Sequence, residues 1–175
     1  MIENCSWDST VILITVIINV LLLTTAIVCF VKYRANLHTK QQAVKVMCLS
    51  SALFCLVFVV GGALFLPLKV SVTETDIRVN RIIGDVSIQL SEIQKIGRTS
   101  KHETENSIRT FASGGLWGYL GRFRSPNLGN YTMYVTNASQ MITIRTKENV
   151  YIISSNNPDE IVEFVKRNKR RERDN

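Results

Sequence analysis

The sequence predicts a two-helix transmembrane hairpin followed by a mainly antiparallel β-barrel with one C-terminal capping α-helix. Three observations lead there. Two long apolar runs near the N-terminus carry no Asp, Glu, Lys or Arg. Beyond Leu68 the apolar residues recur every second position, as in half-buried strands. Near the C-terminus one amphipathic segment opens with a helix-start signature.

The first run spans Val11 to Val31 and the second about Val46 to Leu68. A helix rising ~1.5 Å per residue needs about 20 residues to cross a hydrocarbon core of roughly 30 Å. Both runs meet that length. The first lacks the basic leading region of a secretory signal, because Glu3 and Asp8 precede it, so it reads as a retained helix. Asn19 lies inside the first span and wants an interhelical partner, worth roughly 0.6–2 kcal/mol. Gly61 and Gly62 allow close approach near the far end of the second. These three residues are the expected transmembrane packing contacts. No ionisable residue lies in either span, which argues for an anchor rather than an ion pathway.

Charge sets the expected orientation. Residues 1–31 carry two acids and no base, while the linker 32–45 carries Lys32, Arg34, Lys40 and Lys45 and no acid. Basic loops favour the cytoplasmic side. The N-terminus and the C-terminal domain are therefore expected outside the cytoplasm, with Lys69, Arg78 and Arg81 as the opposing signal. Three domains follow: residues 1–68 as tail and two-pass hairpin, 69–168 as the β domain, and 169–175 as a basic tail. Cys5, Cys29, Cys48 and Cys55 form no CxxC and none falls in the β domain, so neither zinc nor a disulfide framework is indicated.

In the domain, Val70 and Val72 alternate with Ser71 and Thr73, and a polar turn follows at 74–76. Ile77 and Val79, then Val86, Ile88 and Leu90, mark two more strands, with a further edge strand at 93–98. Residues 99–107 are polar and read as an exposed loop. Ile108–Phe111 reads as a short strand. The run Gly114-Gly115-Leu116-Trp117-Gly118-Tyr119-Leu120-Gly121-Arg122-Phe123-Arg124 interleaves glycines with aromatics. No Lys-Ser/Thr follows it, so it is not a phosphate-binding P-loop. It reads either as a structural hairpin or crossover, or as a binding surface in which Trp117, Tyr119, Arg122 and Arg124 supply flat apolar area and positive charge. Strands at 131–135, 141–146 and 150–154 follow. Asn157 is then an N-cap, Pro158 suits the first helical position and Glu160 completes a capping box.

About seven strands and one capped helix over roughly 100 residues is a recognisable layout. The passages Gly115–Phe123, Tyr131–Thr136 and Asn157–Glu160 resemble the bacterial pleckstrin-homology (PH) domain family of membrane proteins. So does the opening Val72-Thr73, Asp76-Ile77 and Arg81–Asp85. The resemblance covers about residues 68–168 and implies a PH-like barrel. It carries over no catalytic residue. The phosphoinositide site of some eukaryotic relatives needs a basic loop between the first two strands, and here that turn is the acidic Glu74-Thr75-Asp76.

No enzyme is expected. His38 and His102 are the only histidines, and neither GxSxG nor HExxH is present. No cofactor, metal, nucleic acid or small-molecule substrate is indicated. The expected function is a non-enzymatic membrane-anchored PH-like module in a bacterial cytoplasmic membrane, touching membrane lipids and binding a protein partner or another copy of itself. Two alternatives stand beside it: an anionic-lipid-sensing or envelope-stress regulator, and an accessory subunit of a transport complex. The orientation makes a direct prediction. Alkaline phosphatase fused after Asn175 should be active and a green fluorescent protein fusion dark; a fluorescent fusion reverses the assignment.

Overall fold

The computed structural model describes residues 2–35 and 42–174. Along the chain these form β1 (Ile2–Asn4), α1 (Ser9–Ala35), α2 (Gln42–Leu64), β2 (Pro67–Val72), β3 (Asp76–Arg81), β4 (Val86–Gln89), β5 (Ile93–Arg98), α3 (Lys101–Thr104), β6 (Ile108–Gly114), β7 (Tyr119–Ser125), β8 (Gly129–Val135), β9 (Met141–Thr146), β10 (Val150–Ser154) and α4 (Pro158–Asp174). A single 3-10 turn at Leu90–Glu92 joins β4 to β5.

Helices α1 and α2 pack side by side and are long and apolar enough to cross a membrane. Their outward residues stay apolar, including Leu21, Phe54 and Val57. The linker residues 36–41, with His38 and Lys40, lie outside the described residues. Helix α2 ends at Leu64, earlier than Leu68. Pro67 explains this, since it lacks an N–H and disfavours helical geometry at the residue before it.

The strands form two sheets rather than a closed barrel. One has the order β1-β2-β3-β4 and the other β5-β9-β10-β8-β7-β6. The chain turns through Leu90–Glu92 and then pairs β5 with β9, so β4 and β5 share no ladder. Pairing is antiparallel except between β10 and β8. One feature goes beyond the expected layout, and another follows the hairpin reading of residues 114–124. The acidic N-terminal tail is an edge strand, with Ile2 opposite Ser71 and Asn4 opposite Lys69. The stretch 119–125 is a full strand, making the glycine-aromatic run a β-hairpin.

The six-stranded sheet is covered on both faces. One face puts Ile142, Ile144 and Ile153 against Val70, Val72, Ile77 and Val79 of the other sheet and Ile161 and Val165 of α4. The opposite face carries Phe123, Tyr131, Met133, Val135 and Ile152. The segment 99–107 crosses over that second cluster. Tyr131 Oη donates to Ser107 Oγ at 2.6 Å, and Ser125 Oγ donates to the Glu103 carbonyl at 2.8 Å. That double cover explains why Ile142, Thr143 and Ile144 are all buried in succession. Helix α4 starts at Pro158 as expected, with the Ile161 N–H donating to the Asn157 carbonyl at 3.3 Å, while the Asn157 side-chain amide donates to Glu3 Oε2 at 3.0 Å. It continues through the segment expected to be a basic tail. It starts beside Arg98, where Asp159 pairs at 3.4 Å, and extends along β5 toward the 3-10 turn.

One polar cluster pins the β2–β3 turn. Asp76 accepts from Ser87 Oγ at 2.7 Å, from Arg78 Nη2 at 3.1 Å and from Thr73 Oγ1. Those donors, Thr73 first, hold its carboxyl below the ordinary 3.8. A lowered folded-state pKa gives stability that is present above the unfolded value and lost as pH falls. Asp76→Ala removes the hydrogen bonds this carboxylate accepts and should lower stability by roughly 1–2 kcal/mol at pH 7. The gap between the thermal melts of the two proteins should narrow on acidification below about pH 4.

Candidate functional site

The β6–β7 hairpin gathers the residues singled out in the sequence, but on different surfaces. In a strand, neighbours alternate faces and cross-strand partners share one. Ile108 pairs with Arg124 and Phe111 with Arg122. Phe123, between the two arginines, points into the second core cluster. Ile108, Phe111, Arg122 and Arg124 therefore make one outward patch. Ile108 is 69% and Phe111 85% exposed. Both arginines are exposed, and neither forms an ion pair among the described residues. Among the described residues, strand β6 pairs only with β7, so its other edge presents unpaired backbone groups. A register shift between Arg109 and Phe111 lets Thr110 Oγ1 donate to the Arg122 carbonyl at 3.0 Å.

Tyr119 lies outside this patch. It is half-buried against the second cluster, and burial raises its phenol above the ordinary 10.0.

Trp117 is not a surface residue. It sits at the hairpin tip, only 7% exposed, with its ring 5.5 Å from that of Phe58 in α2. Its N–H donates to Thr15 Oγ1 of α1 at 2.9 Å. Its backbone lies in the left-handed region, at φ 56°. That conformation is strained for a bulky side chain and persists where surrounding contacts over-determine it. Gly62 supplies the space: a Cβ there would fall within the indole ring. The close approach offered by Gly62 is thus taken by Trp117 rather than by α1. Gly61 faces open space. The Asn19 Oδ1 is enclosed and has no hydrogen-bond partner among the described residues.

The N-terminal tail ties the same region together. Asp8 accepts from the Val11 N–H at 2.8 Å, capping α1, and from the Ala138 N–H at 3.0 Å. The Asp8 N–H donates to the Thr136 carbonyl at 3.0 Å. Ser6 and Cys5 complete the seam. Thr136 Oγ1 donates to the Ser6 carbonyl at 2.7 Å, and Cys5 Sγ donates to the Ser154 carbonyl at 3.4 Å. Burial pushes the Cys5 thiol up to about 12, so it stays protonated and unreactive. A short strand at 108–111 was legible in the sequence, but plain alternation puts Ile108 and Phe111 on opposite faces, and only the register shift between Arg109 and Phe111 brings them to one. Nothing local in residues 2–8 or 114–118 signalled that they would meet the helices, because those contacts join residues over 100 positions apart.

The Trp117 dock is testable. Gly62→Ala and Trp117→Ala should each speed amide exchange at residues 114–118 by about tenfold, an opening made ~1.4 kcal/mol easier. Exchange in β9 and β10 should stay unchanged.

No curated protein and no solved structure matches the chain. A family profile described as bacterial PH domain matches residues 68–169, from the exit of α2 into α4. PH domains are generally binding modules without catalytic activity. The match covers more than half of the sequence and both sheets apart from β1, and the chain belongs to the bacterial PH domain family.

Proposed function

We propose that the protein is a non-enzymatic PH-like binding module, held in a bacterial cytoplasmic membrane by α1 and α2, that recognises a protein partner. The observation carrying this reading is the outward face of the β6–β7 hairpin. Ile108 and Phe111 offer apolar anchors, Arg122 and Arg124 offer cations, and the β6 edge offers backbone donors and acceptors. An acidic, apolar strand fits all three, adding to the sheet edge through its main chain. The basic linker favours a domain facing away from the cytoplasm.

An anionic-lipid reader would use the same arginines, but it would gain little from two apolar side chains beside an open strand edge. An accessory role in a transport complex is a special case of partner binding, with α1 and α2 adding contacts.

Affinity purification of the tagged full chain from native membranes tests the reading. Ile108→Ser, Phe111→Ser, Arg122→Ala and Arg124→Ala combined should reduce recovery of a stoichiometric partner about tenfold, with the melting curve retained. Unchanged recovery removes the site. Loss instead of salt-sensitive binding to anionic vesicles by the same variant favours the lipid reader.

A further inference from the structure

We infer that the tip of the β6–β7 hairpin, residues 114–118, is a re-entrant membrane element, and that the β3–β4 loop at Ile82-Ile83 rests on the bilayer beside it. This rests on the reading of α1 and α2 as membrane-spanning helices.

The tip lies alongside the helices, not above them. Trp117 is bonded to Thr15 and stacked near Phe58. Thr15 is six residues inside the start of α1 at Ser9, and Phe58 is six residues inside the end of α2 at Leu64. At 1.5 Å per residue, both positions are about 9 Å within the helical pair. The apolar run begins at Val11, so the tip is level with the outer part of the hydrocarbon.

Non-helical backbone at that depth requires internal hydrogen-bond partners. The tip has them. The Gly115 N–H donates to the Gly118 carbonyl at 3.1 Å. Ser113 Oγ donates to the Leu116 carbonyl. The Trp117 N–H takes the hydroxyl of Thr15, a polar side chain otherwise out of place on an apolar helix. The side chains suit the depth as well: Leu116 is partly exposed, and the Ile14 side chain lies about where a Cβ on Gly115 would touch it.

The β3–β4 loop sits at the end of α2, where the Ile83 N–H donates to the Leu64 carbonyl at 3.1 Å. Ile82 is 56% and Ile83 49% exposed, next to the exposed Phe65 and Leu68. In water this would be an unexplained apolar cluster; at the helix exit it continues the apolar surface of α2 into the interface. Arg81 stands among them with its guanidinium 6.0 Å from the Phe65 ring centre and 5.2 Å from that of Tyr134. A long cation with an apolar stem suits the headgroup level.

Fluorescence depth quenching of the full chain in phosphatidylethanolamine–phosphatidylglycerol vesicles tests this. The sequence holds two tryptophans, so Trp7→Phe leaves Trp117 as the sole emitter. Two further proteins carry Trp7→Phe and Trp117→Phe with either Ile83→Trp or Leu21→Trp, the latter marking mid-span. Lipids brominated near the top of the acyl chain should reduce Trp117 emission roughly by half, as for an aromatic at interfacial depth. The same lipids should quench Ile83→Trp, while bromines at the chain ends should act best on Leu21→Trp. Quenching at Leu21→Trp alone overturns the inference and leaves the membrane reading standing. Quenching at Trp117 but not at Ile83→Trp keeps the tip and removes the loop. No quenching at any of the three positions overturns the membrane reading and the inference with it.

Discussion

The contact of Trp117 with the two apolar helices governs how the rest of the molecule is arranged. The Trp117 indole fills the space above Gly62 and leans on Phe58, and its backbone N–H donates to Thr15. A single residue of the β domain thus meets both helices, α2 through its ring and α1 through its main chain. Its left-handed backbone is strained for a bulky side chain, and the contacts of the dock help hold it there. Because the tip is held, the outward face of the same hairpin is held too. Phe111 and Arg122 project from a platform whose orientation relative to α1 and α2 is set.

A second seam makes that platform rigid. The tail before α1 does not dangle. It pairs with β2, caps α1 through Asp8 and reaches Thr136 just after β8 and Asn156 and Asn157 just after β10. Thr136 and Ser154, both fully buried, would be costly without these partners. The Thr136 N–H donates to Ser154 Oγ at 3.0 Å, closing the network within the six-stranded sheet. The tail and the domain therefore form one folding unit interrupted by two helices. A fragment beginning after Leu68 would lose β1 and leave the groups at Thr136 and Ser154 without their tail partners.

The arrangement separates two surfaces within one family fold. The helix-facing end carries Trp117, the Ile82-Ile83 loop and the tail. The far part of the hairpin carries Ile108 and Arg124, with α4 running toward the 3-10 turn at the same distant end. The basic residues Lys166 to Arg171 extend along that course, away from the start of α4 beside Arg98. Their charge is thus directed away from the helix pair, unlike a juxtamembrane basic cluster.

Sequence alone determined what local physics controls. Uncharged runs of about 20 residues specify apolar helices whatever surrounds them. Period-two alternation marked most strands, and Asn157-Pro158 with Glu160 marked the start of α4, because caps and pleats depend on near neighbours. The quoted PH-like passages located the family. Only tertiary structure decided that the sheets stay open, since that depends on β5 choosing β9 over β4. It also decided that the acidic tail becomes a strand, and that Trp117 turns inward while Arg122 and Arg124 turn outward. Each of these outcomes is set by contacts between residues far apart in the chain, and neither composition nor spacing encodes which distant partner a side chain will meet.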